Sequence, residues 1–153
     1  MARPTKIQNY LDIAKTVSKR STCIRRHYGA IIVSDDGVVS TGYNGSARGD
    51  ENCCDRGVCR RMEDNVPHGE RYELCSSIHA EANAILEAGR NRCKGSTLYL
   101  YGSCAETGDT EINIEPCLMC MRLIKNAGIR KLVMGSPEKH TVLNYNPSRK
   151  VFV

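Results

Sequence analysis

Two short segments carry residue types that can hold a metal ion and use it. His79 is followed two residues later by Glu81, and Cys117 is followed three residues later by Cys120. One histidine and two cysteines are ligands that Zn²⁺ prefers, and three protein ligands leave the fourth tetrahedral position open for water, as in catalytic zinc sites. Glu81 is a carboxylate that can take a proton from that water and pass it on. The sequence therefore predicts a catalytic zinc site with Glu81 as its general acid and base.

Each segment lies where a helix is expected to begin. Residues 79–89 contain several strong helix formers, and Pro116 opens a second predicted helix that ends at Gly128. Helix N-termini carry partial positive charge, which favours thiolate ligands. Because residues two apart do not share a helix face, His79 and Glu81 can act together only if the site lies off the first turn of the helix.

The remaining pattern predicts a three-layer α/β/α fold with a mixed central sheet of about five strands. An amphipathic helix is expected at 5–19, and Thr5 with Gln8 can form a capping box at its start. The tail after Gly135 is expected to be rich in turns, with Tyr145 as a candidate lid residue. The expected strands are 29–33, 38–43, 96–101, 131–135 and 151–153. Strand–helix–strand crossovers between them place helices on both faces of the sheet.

Composition limits the class of protein. The 153 residues, of which 41% are hydrophobic and 25% charged, suit one globular domain spanning 1–153. No apolar run approaches ~18 residues and the first residues lack a signal-peptide core, so we expect a cytoplasmic protein without a membrane partner. The net charge is +5, with scattered basic residues and only 5% aromatic residues. This composition fits a small anionic ligand better than nucleic acid.

Nine cysteines are unusual for a chain expected in a reducing compartment, where metal ligation or catalysis is more typical than disulfide bonding. Several of them lie in 47–77, a polar stretch without clear periodicity. A structureless stretch of this length is uncommon in a compact domain. The simplest element that could order this insertion is a metal ion.

The two segments together form the H-x-E…P-C-x-x-C signature of zinc-dependent nucleobase deaminases. Beyond this signature, the chain resembles the deoxycytidylate deaminase family, in the bacterial and phage branch that includes competence-operon proteins. The resemblance extends from about Ile7 to Met134. It depends on the segments 19–26, 42–45, 52–55, 69–75 and 79–85.

The resemblance implies hydrolytic deamination of dCMP to dUMP and ammonia, a reaction that feeds dTMP synthesis. It implies that Arg25 binds the 5′-phosphate and Asn44 the sugar, with Arg26 as a further substrate-binding residue. Arginine suits this role because its guanidinium can contact phosphate through two hydrogen bonds. The resemblance also implies dCTP and dTTP as effectors, with Mg²⁺, and a homo-oligomer that is a hexamer.

Some members of the family carry a second, structural zinc. Position by position, the resemblance implies these ligands: Cys23, Cys53, Cys59 and Cys75, with His68 or Cys54 as a replacement for one of them. A closed site with four ligands would order the 47–77 insertion. The alternative is a set of thiols that pack as small hydrophobic side chains.

Two features depart from the family pattern and leave other functions open. A polar loop at 102–115 precedes Pro116, and the tail after Gly135 is short. One alternative is a deaminase of another cytosine nucleotide or nucleoside, or of an RNA base. The other is a non-enzymatic protein, related to competence or DNA uptake, on the same fold.

Overall fold

The computed structural model describes residues 2–111 and 113–153. In these ranges the helices are α1 (Lys6–Ser18), α2 (Cys53–Arg56), α3 (Arg60–Glu63), α4 (Ala80–Ala88), α5 (Arg90–Cys93) and α6 (Leu118–Ala127), with a 3₁₀ turn at Tyr72–Leu74. The strands are β1 (Arg26–Ser34), β2 (Gly37–Tyr43), β3 (Gly45–Ser46), β4 (Ser77–Ile78), β5 (Thr97–Cys104), β6 (Lys131–Gly135), β7 (His140–Asn146) and β8 (Val151–Phe152). Not one of these helices has the length and apolar character needed to cross a lipid bilayer.

Six strands form one mixed sheet in the order β2-β1-β5-β6-β7-β8. β5 and β6 are parallel and are connected through α6, whereas the other neighbouring strands are antiparallel. The predicted β1–β2 hairpin is confirmed. Its two-residue turn consists of Asp35 and Asp36, both with positive φ, as the twist of a tight hairpin requires.

The sheet has six strands, whereas about five were expected, because part of the tail forms the additional strand β7. This strand pairs with β6 from Lys131 opposite Asn144 to Gly135 opposite His140. Its mixture of polar and apolar residues did not predict a strand, and pairing with β6 determines its conformation. Tyr145, suggested above as a lid, instead packs in this strand against Phe152, with ring centroids 5.4 Å apart.

Helices cover both faces of the sheet. On one face α1 packs in a cluster of buried side chains that comprises Tyr10, Leu11, Ala14, Ile31, Val33, Tyr99, Tyr101 and Val133. On the opposite face α4 and α6 pack in a cluster that includes Ala30, Ile32, Ala80, Ala84, Leu98, Leu100, Ile124, Leu132 and Met134. Successive residues of β1 and β5 alternate between the two clusters, because side chains along a strand point to opposite faces. The three-layer α/β/α arrangement is confirmed.

The 47–77 insertion leaves the fold and returns to it at one place. A second, small sheet pairs Gly45 with Ile78 and Ser46 with Ser77, so that β3 and β4 join the two ends of the insertion. Within it, α2 is attached to the chain before β1 by a hydrogen bond from the Cys54 N–H to the Thr22 carbonyl (3.1 Å). The insertion therefore ends two residues before His79, which directly precedes α4.

Candidate active site

His79 lies at the N-cap of α4, with extended backbone (φ −69°, ψ 151°), and Glu81 lies in the first turn. The site therefore lies off the start of the helix, as the two-residue spacing required. Cys117 is the N-cap of α6, and its Sγ accepts a hydrogen bond from the Cys120 N–H (3.4 Å). The prediction that this helix opens at Pro116 was slightly early, because the Cys117 sulfur caps the helix and α6 begins at Leu118.

The three predicted ligands converge on one point. The Nδ1 atom of His79 lies 3.5 Å from the Sγ of Cys117 and 3.4 Å from the Sγ of Cys120. A tetrahedral Zn²⁺ with ordinary bond lengths separates a nitrogen from a sulfur ligand by ~3.6 Å. Among the described residues, these three alone offer ligand atoms that all lie within 4.8 Å of one another. The donor set and its spacing therefore fit zinc.

The acidic groups of the site crowd together in a way that favours a cation between them. Burial raises the pKa of Glu81 to about 7, and the neighbouring Cys120 thiol has a smaller opposite effect. Burial, followed by the charges of Glu81 and Cys117, raises the pKa of Cys120. A divalent cation would offset this repulsion and stabilise the thiolates.

His79 is set up as a neutral ligand. Burial, with a smaller effect from the positive charge of Arg61, lowers the pKa of its imidazole. The edge of the Tyr72 ring meets the imidazole at 87°, with centroids 5.1 Å apart. A neutral ring leaves one nitrogen free to bind a metal, which a protonated ring cannot do.

The site opens into a cavity of about 130 Å³. Its lining brings the predicted substrate-binding residues together with the zinc-site residues: Arg25, Arg26, Asn44, His79, Glu81 and Cys117. Residues as distant in the sequence as Arg25, His79 and Cys117 therefore line the same cavity. This juxtaposition is the feature that a substrate with a base at one end and an anionic group at the other would need.

Asn44 is only 6% exposed, and its amide bonds extensively within the protein. The Oδ1 atom accepts hydrogen bonds from the Ser21 hydroxyl (2.6 Å) and the Tyr28 N–H (2.8 Å). The Nδ2 atom donates to the Arg26 carbonyl (2.8 Å). Asn44 therefore connects the chain before β1 to the strand that carries Arg26, and one Nδ2 hydrogen remains for a ligand.

The 102–115 loop packs against the arginines. The Ala105 N–H donates to the Arg25 carbonyl (2.9 Å), and the Arg26 guanidinium forms an ion pair with Glu111 (3.3 Å). Glu115, from the same loop, lines the cavity. The loop that departs from the family pattern thus forms part of the cavity wall beside Arg25 and Arg26.

The cavity is also lined by residues that the sequence did not predict, among them Tyr28, Arg61, Tyr72 and Glu115. Tyr28 follows Arg26 by two residues in β1, so the period of a strand could have placed both side chains on one face. It lies opposite Gly102, where an added Cβ would come within 2.4 Å of the Tyr28 ring. For the others the sequence contains no comparable periodic signal.

The four cysteines expected to hold a second metal come from three parts of the chain and lie in the same region, but no three of their sulfur atoms lie within 4.8 Å of one another. Burial raises the pKa of Cys75, and the nearby charges of Cys23, Cys53 and Cys59 raise it further. The Arg25 N–H donates to the Cys23 sulfur (3.5 Å). Of the two replacement ligands, His68 lines the cavity, whereas Cys54 is exposed and its thiol donates to Asp55.

Comparison with known proteins agrees with this geometry. Residues 4–136 match the family model described as the cytidine and deoxycytidylate deaminase zinc-binding region. The deoxycytidylate deaminase of Mycobacterium phage D29 is 36% identical over 138 residues, which cover 87% of this chain and 96% of that protein. The deoxycytidylate deaminase of Schizosaccharomyces pombe is 34% identical over 131 residues, but the chain spans only 37% of its length.

A solved structure shares the fold. The dCMP deaminase from the cyanophage S-TIM5, in apo form, superposes with a TM-score of 0.60 and 25% sequence identity, covering 87% of this chain and 84% of that one. The family match covers the predicted zinc ligands and Glu81, and the site has the geometry that zinc requires. The chain is therefore a member of the cytidine and deoxycytidylate deaminase family.

Proposed function

We propose that the protein hydrolyses dCMP to dUMP and ammonia, a reaction that supplies dTMP synthesis. The observation that carries the proposal is the single cavity that joins Glu81 and the zinc ligands to Arg25 and Arg26. The relatives that match the chain at 34% and 36% identity are both deoxycytidylate deaminases, which supports the choice of substrate. The chain spans little more than a third of the yeast relative, so the proposal concerns the chemistry of residues 1–153 as one deaminase domain.

Residues of this chain account for the steps of the reaction. His79, Cys117 and Cys120 would hold the zinc, which when bound lowers the pKa of a water molecule to near ~7. Glu81 can take one proton from the attacking water and give it to the ring nitrogen of cytosine, then take the second proton from the new C4 hydroxyl and give it to the amino group, which leaves as ammonia. The burial of Glu81 keeps bulk water from competing for this proton.

The opposite end of the cavity would hold the rest of the nucleotide. Arg25 and Arg26 can offer paired N–H donors to the 5′-phosphate, although Arg26 also contacts Glu111. The remaining Nδ2 hydrogen of Asn44 can donate to the sugar. A phosphate held at this end fixes the distance from the base to Glu81, which is how binding energy serves catalysis.

The test is to incubate the zinc-loaded protein with dCMP, CMP, deoxycytidine, dCTP and tRNA, and to separate the products by chromatography. We expect conversion of dCMP to dUMP. The Glu81→Gln variant should lose on the order of 10²- to 10⁴-fold in rate while it keeps its zinc, because only proton transfer is removed. Glu87→Gln, an exposed change in the same helix, should remain active.

Each other outcome selects a different function. Deamination of another substrate with dCMP left intact would keep the zinc chemistry and reject the assigned roles of Arg25, Arg26 and Asn44. A zinc-loaded protein that deaminates none of these compounds would favour the non-enzymatic hypothesis. Activity that survives Glu81→Gln would remove Glu81 from the reaction.

A second, structural zinc held by Cys23, Cys53, Cys59 and Cys75 is part of the proposal. Its support is that Cys23, Cys53 and Cys59 lie near enough to Cys75 for their charges to act on its thiol, in an insertion that otherwise consists of short helices and turns; no three of the four sulfur atoms lie within 4.8 Å of one another. Metal analysis should give two zinc ions per chain in the parent protein and one in Cys75→Ser. The exposed Cys54→Ser is the matched control and should keep both ions. A parent protein that binds one zinc would contradict the proposal.

Oligomer formation and regulation are proposed from the family resemblance. The support for an oligomer is apolar surface on the outer helices, where Leu86 in α4 and Leu118 in α6 are each 79% exposed. Light scattering should show a hexamer in the parent protein. The double variant Leu86→Glu/Leu118→Glu should dissociate, whereas the control Val153→Glu should not. A monomeric parent protein would contradict the proposed hexamer.

Regulation is a separate proposal. It predicts that dCTP or dTTP, with Mg²⁺, changes the rate of dCMP deamination.

A further inference from the structure

Arg61 is a buried cation that forms no ion pair among the described residues, although it lies close enough to Glu73 for their charges to interact. It lies in α3 and is 6% exposed, and in the part of the chain that the structure describes no carboxylate lies within salt-bridge distance of it. Buried charges in proteins are normally paired, because removing an unpaired charge from water is costly. An arginine in this position therefore indicates that an anion completes the site.

The surroundings of Arg61 hold its guanidinium in one orientation. Its Nη2 atom donates hydrogen bonds to the carbonyls of Pro67 (2.9 Å) and Glu70 (2.6 Å). The guanidinium carbon lies 4.8 Å from the centroid of the Tyr72 ring. These contacts leave the Nε atom buried and without a hydrogen-bond partner. The two carbonyls explain how the group is held, but they do not neutralise its charge or satisfy Nε.

Arg61 faces the same cavity as the reacting groups. It lines this space together with Arg25 and Arg26. The Tyr72 ring contacts both the Arg61 guanidinium, 4.8 Å from its centroid, and the His79 imidazole, with centroids 5.1 Å apart, so these two groups lie no more than about 10 Å from each other. The separation between the guanidinium and the zinc ligands is therefore one that a single nucleotide can span.

We propose that Arg61 binds the 5′-phosphate of the substrate and so selects a nucleotide over the corresponding nucleoside. This inference rests on the proposed deamination of a cytosine nucleotide. A rigid guanidinium that the fold already holds in place binds phosphate without losing further side-chain freedom. The alternative anionic partners of Arg61 are the thiolates of Cys59 and Cys75, which line the same cavity. The experiment distinguishes these thiolates from the substrate phosphate.

The experiment measures binding rather than turnover. The zinc-loaded protein is titrated by calorimetry with dUMP and with deoxyuridine, which differ only in the phosphate. In Arg61→Gln the affinity for dUMP should fall on the order of 10- to 100-fold, as for the loss of a charged hydrogen bond, while the affinity for deoxyuridine stays unchanged. Arg61→Lys should be intermediate, because it keeps the charge but not the planar pair of donors.

Arg60→Gln is the matched control. Arg60 lies next to Arg61 in α3 but is exposed and forms an ion pair with Asp64, so its loss should change neither affinity. Equal loss of dUMP and deoxyuridine binding in Arg61→Gln, or unchanged binding of both, overturns the inference. Loss of zinc from that variant, with the preference for dUMP retained, would assign Arg61 to the cysteines instead.

The outcome also separates this inference from the proposed function. If the parent protein binds dUMP no better than deoxyuridine, the assignment of a nucleotide substrate fails. If the parent prefers dUMP and the variants keep that preference, only the role of Arg61 fails. Should Arg61→Gln not fold, Arg61→Lys decides the question by the same comparison of the two ligands.

Discussion

The amide of Asn44 forms three hydrogen bonds, to Ser21, Tyr28 and Arg26, in a position that is almost fully buried. Its expected contact with a sugar uses the one hydrogen that these bonds leave over. Its larger physical effect is on the strand that carries Arg26 and Tyr28, since the amide fixes the backbone of both. A single residue thus connects the cavity wall formed by Arg26 and Tyr28 to the chain before β1.

Replacing Asn44 with alanine should destabilise the protein by about 3 kcal/mol, because it leaves the Tyr28 N–H and the Arg26 carbonyl without partners in a buried position. Urea unfolding followed by circular dichroism measures this change. Asn83→Ala is the control, since its amide forms one exposed hydrogen bond to the Tyr43 carbonyl, and it should cost less than ~1 kcal/mol. Equal costs for the two variants would contradict the prediction.

At the scale of elements, the site depends on how closely α4 approaches β2. Gly42 lies under the start of α4, and an added Cβ would come within 2.4 Å of both the Ala80 carbonyl oxygen and the Ala84 nitrogen. The Ser40 hydroxyl of the same strand donates to the Ala84 carbonyl (2.8 Å). Since His79 and Glu81 both lie at this end of α4, the contact with β2 determines where they meet the N-terminus of α6.

We expect Gly42→Ala to push α4 away from the sheet. It should lower the free energy of unfolding by about 3 kcal/mol, the upper part of the range for overpacked cores, and also reduce deamination because Glu81 moves with the helix. Denaturant unfolding and the rate with dCMP measure the two effects. Gly37→Ala lies in the same strand, where the nearest atom is 3.7 Å away, and should change neither. A Gly42→Ala protein as stable as the Gly37→Ala protein would reject this explanation.

At the scale of the whole molecule, a metal ion would join parts of the chain that are far apart in sequence. His79 precedes α4 and Cys117 and Cys120 begin α6, so a zinc at the candidate site connects two helices on one face of the sheet. Because such an ion binds the folded chain in preference to the unfolded one, it adds its binding energy to stability. A structural zinc in the insertion would act in the same way on residues 47–77.

Removal of metal with a chelator should therefore lower the melting temperature by roughly 10 °C, which corresponds to about 3–4 kcal/mol at this chain length. Limited proteolysis with trypsin should then cut first at the arginines of the insertion, such as Arg48 and Arg56. In Cys117→Ser the melting temperature should already be lower, and the chelator should lower it less than in the parent. A melting temperature that the chelator leaves unchanged in the parent would show that zinc does not support the fold.

The types and spacing of His79, Glu81, Cys117 and Cys120 were sufficient to predict that these side chains meet at two helix starts as a candidate zinc site, because coordination chemistry and helix capping act over a few residues. The alternation of apolar residues was sufficient for the three layers, since burial follows the period of each element. These conclusions depend on local chemistry. The tertiary structure corrected only one detail of these local predictions, which is that α6 begins at Leu118 and not at Pro116.

Other features depend on contacts between distant segments, and only the folded chain decided them. β7 is a strand because it pairs with β6, and Glu111 faces Arg26 because the 102–115 loop folds back along β1. The burial of Arg61 results from the path of the insertion, which no periodic pattern encodes. Sequence by itself determined which atoms could perform the chemistry, because ligand type and spacing are local properties. Tertiary structure decided which charges face the same cavity, because that depends on the packing of segments that are remote in sequence.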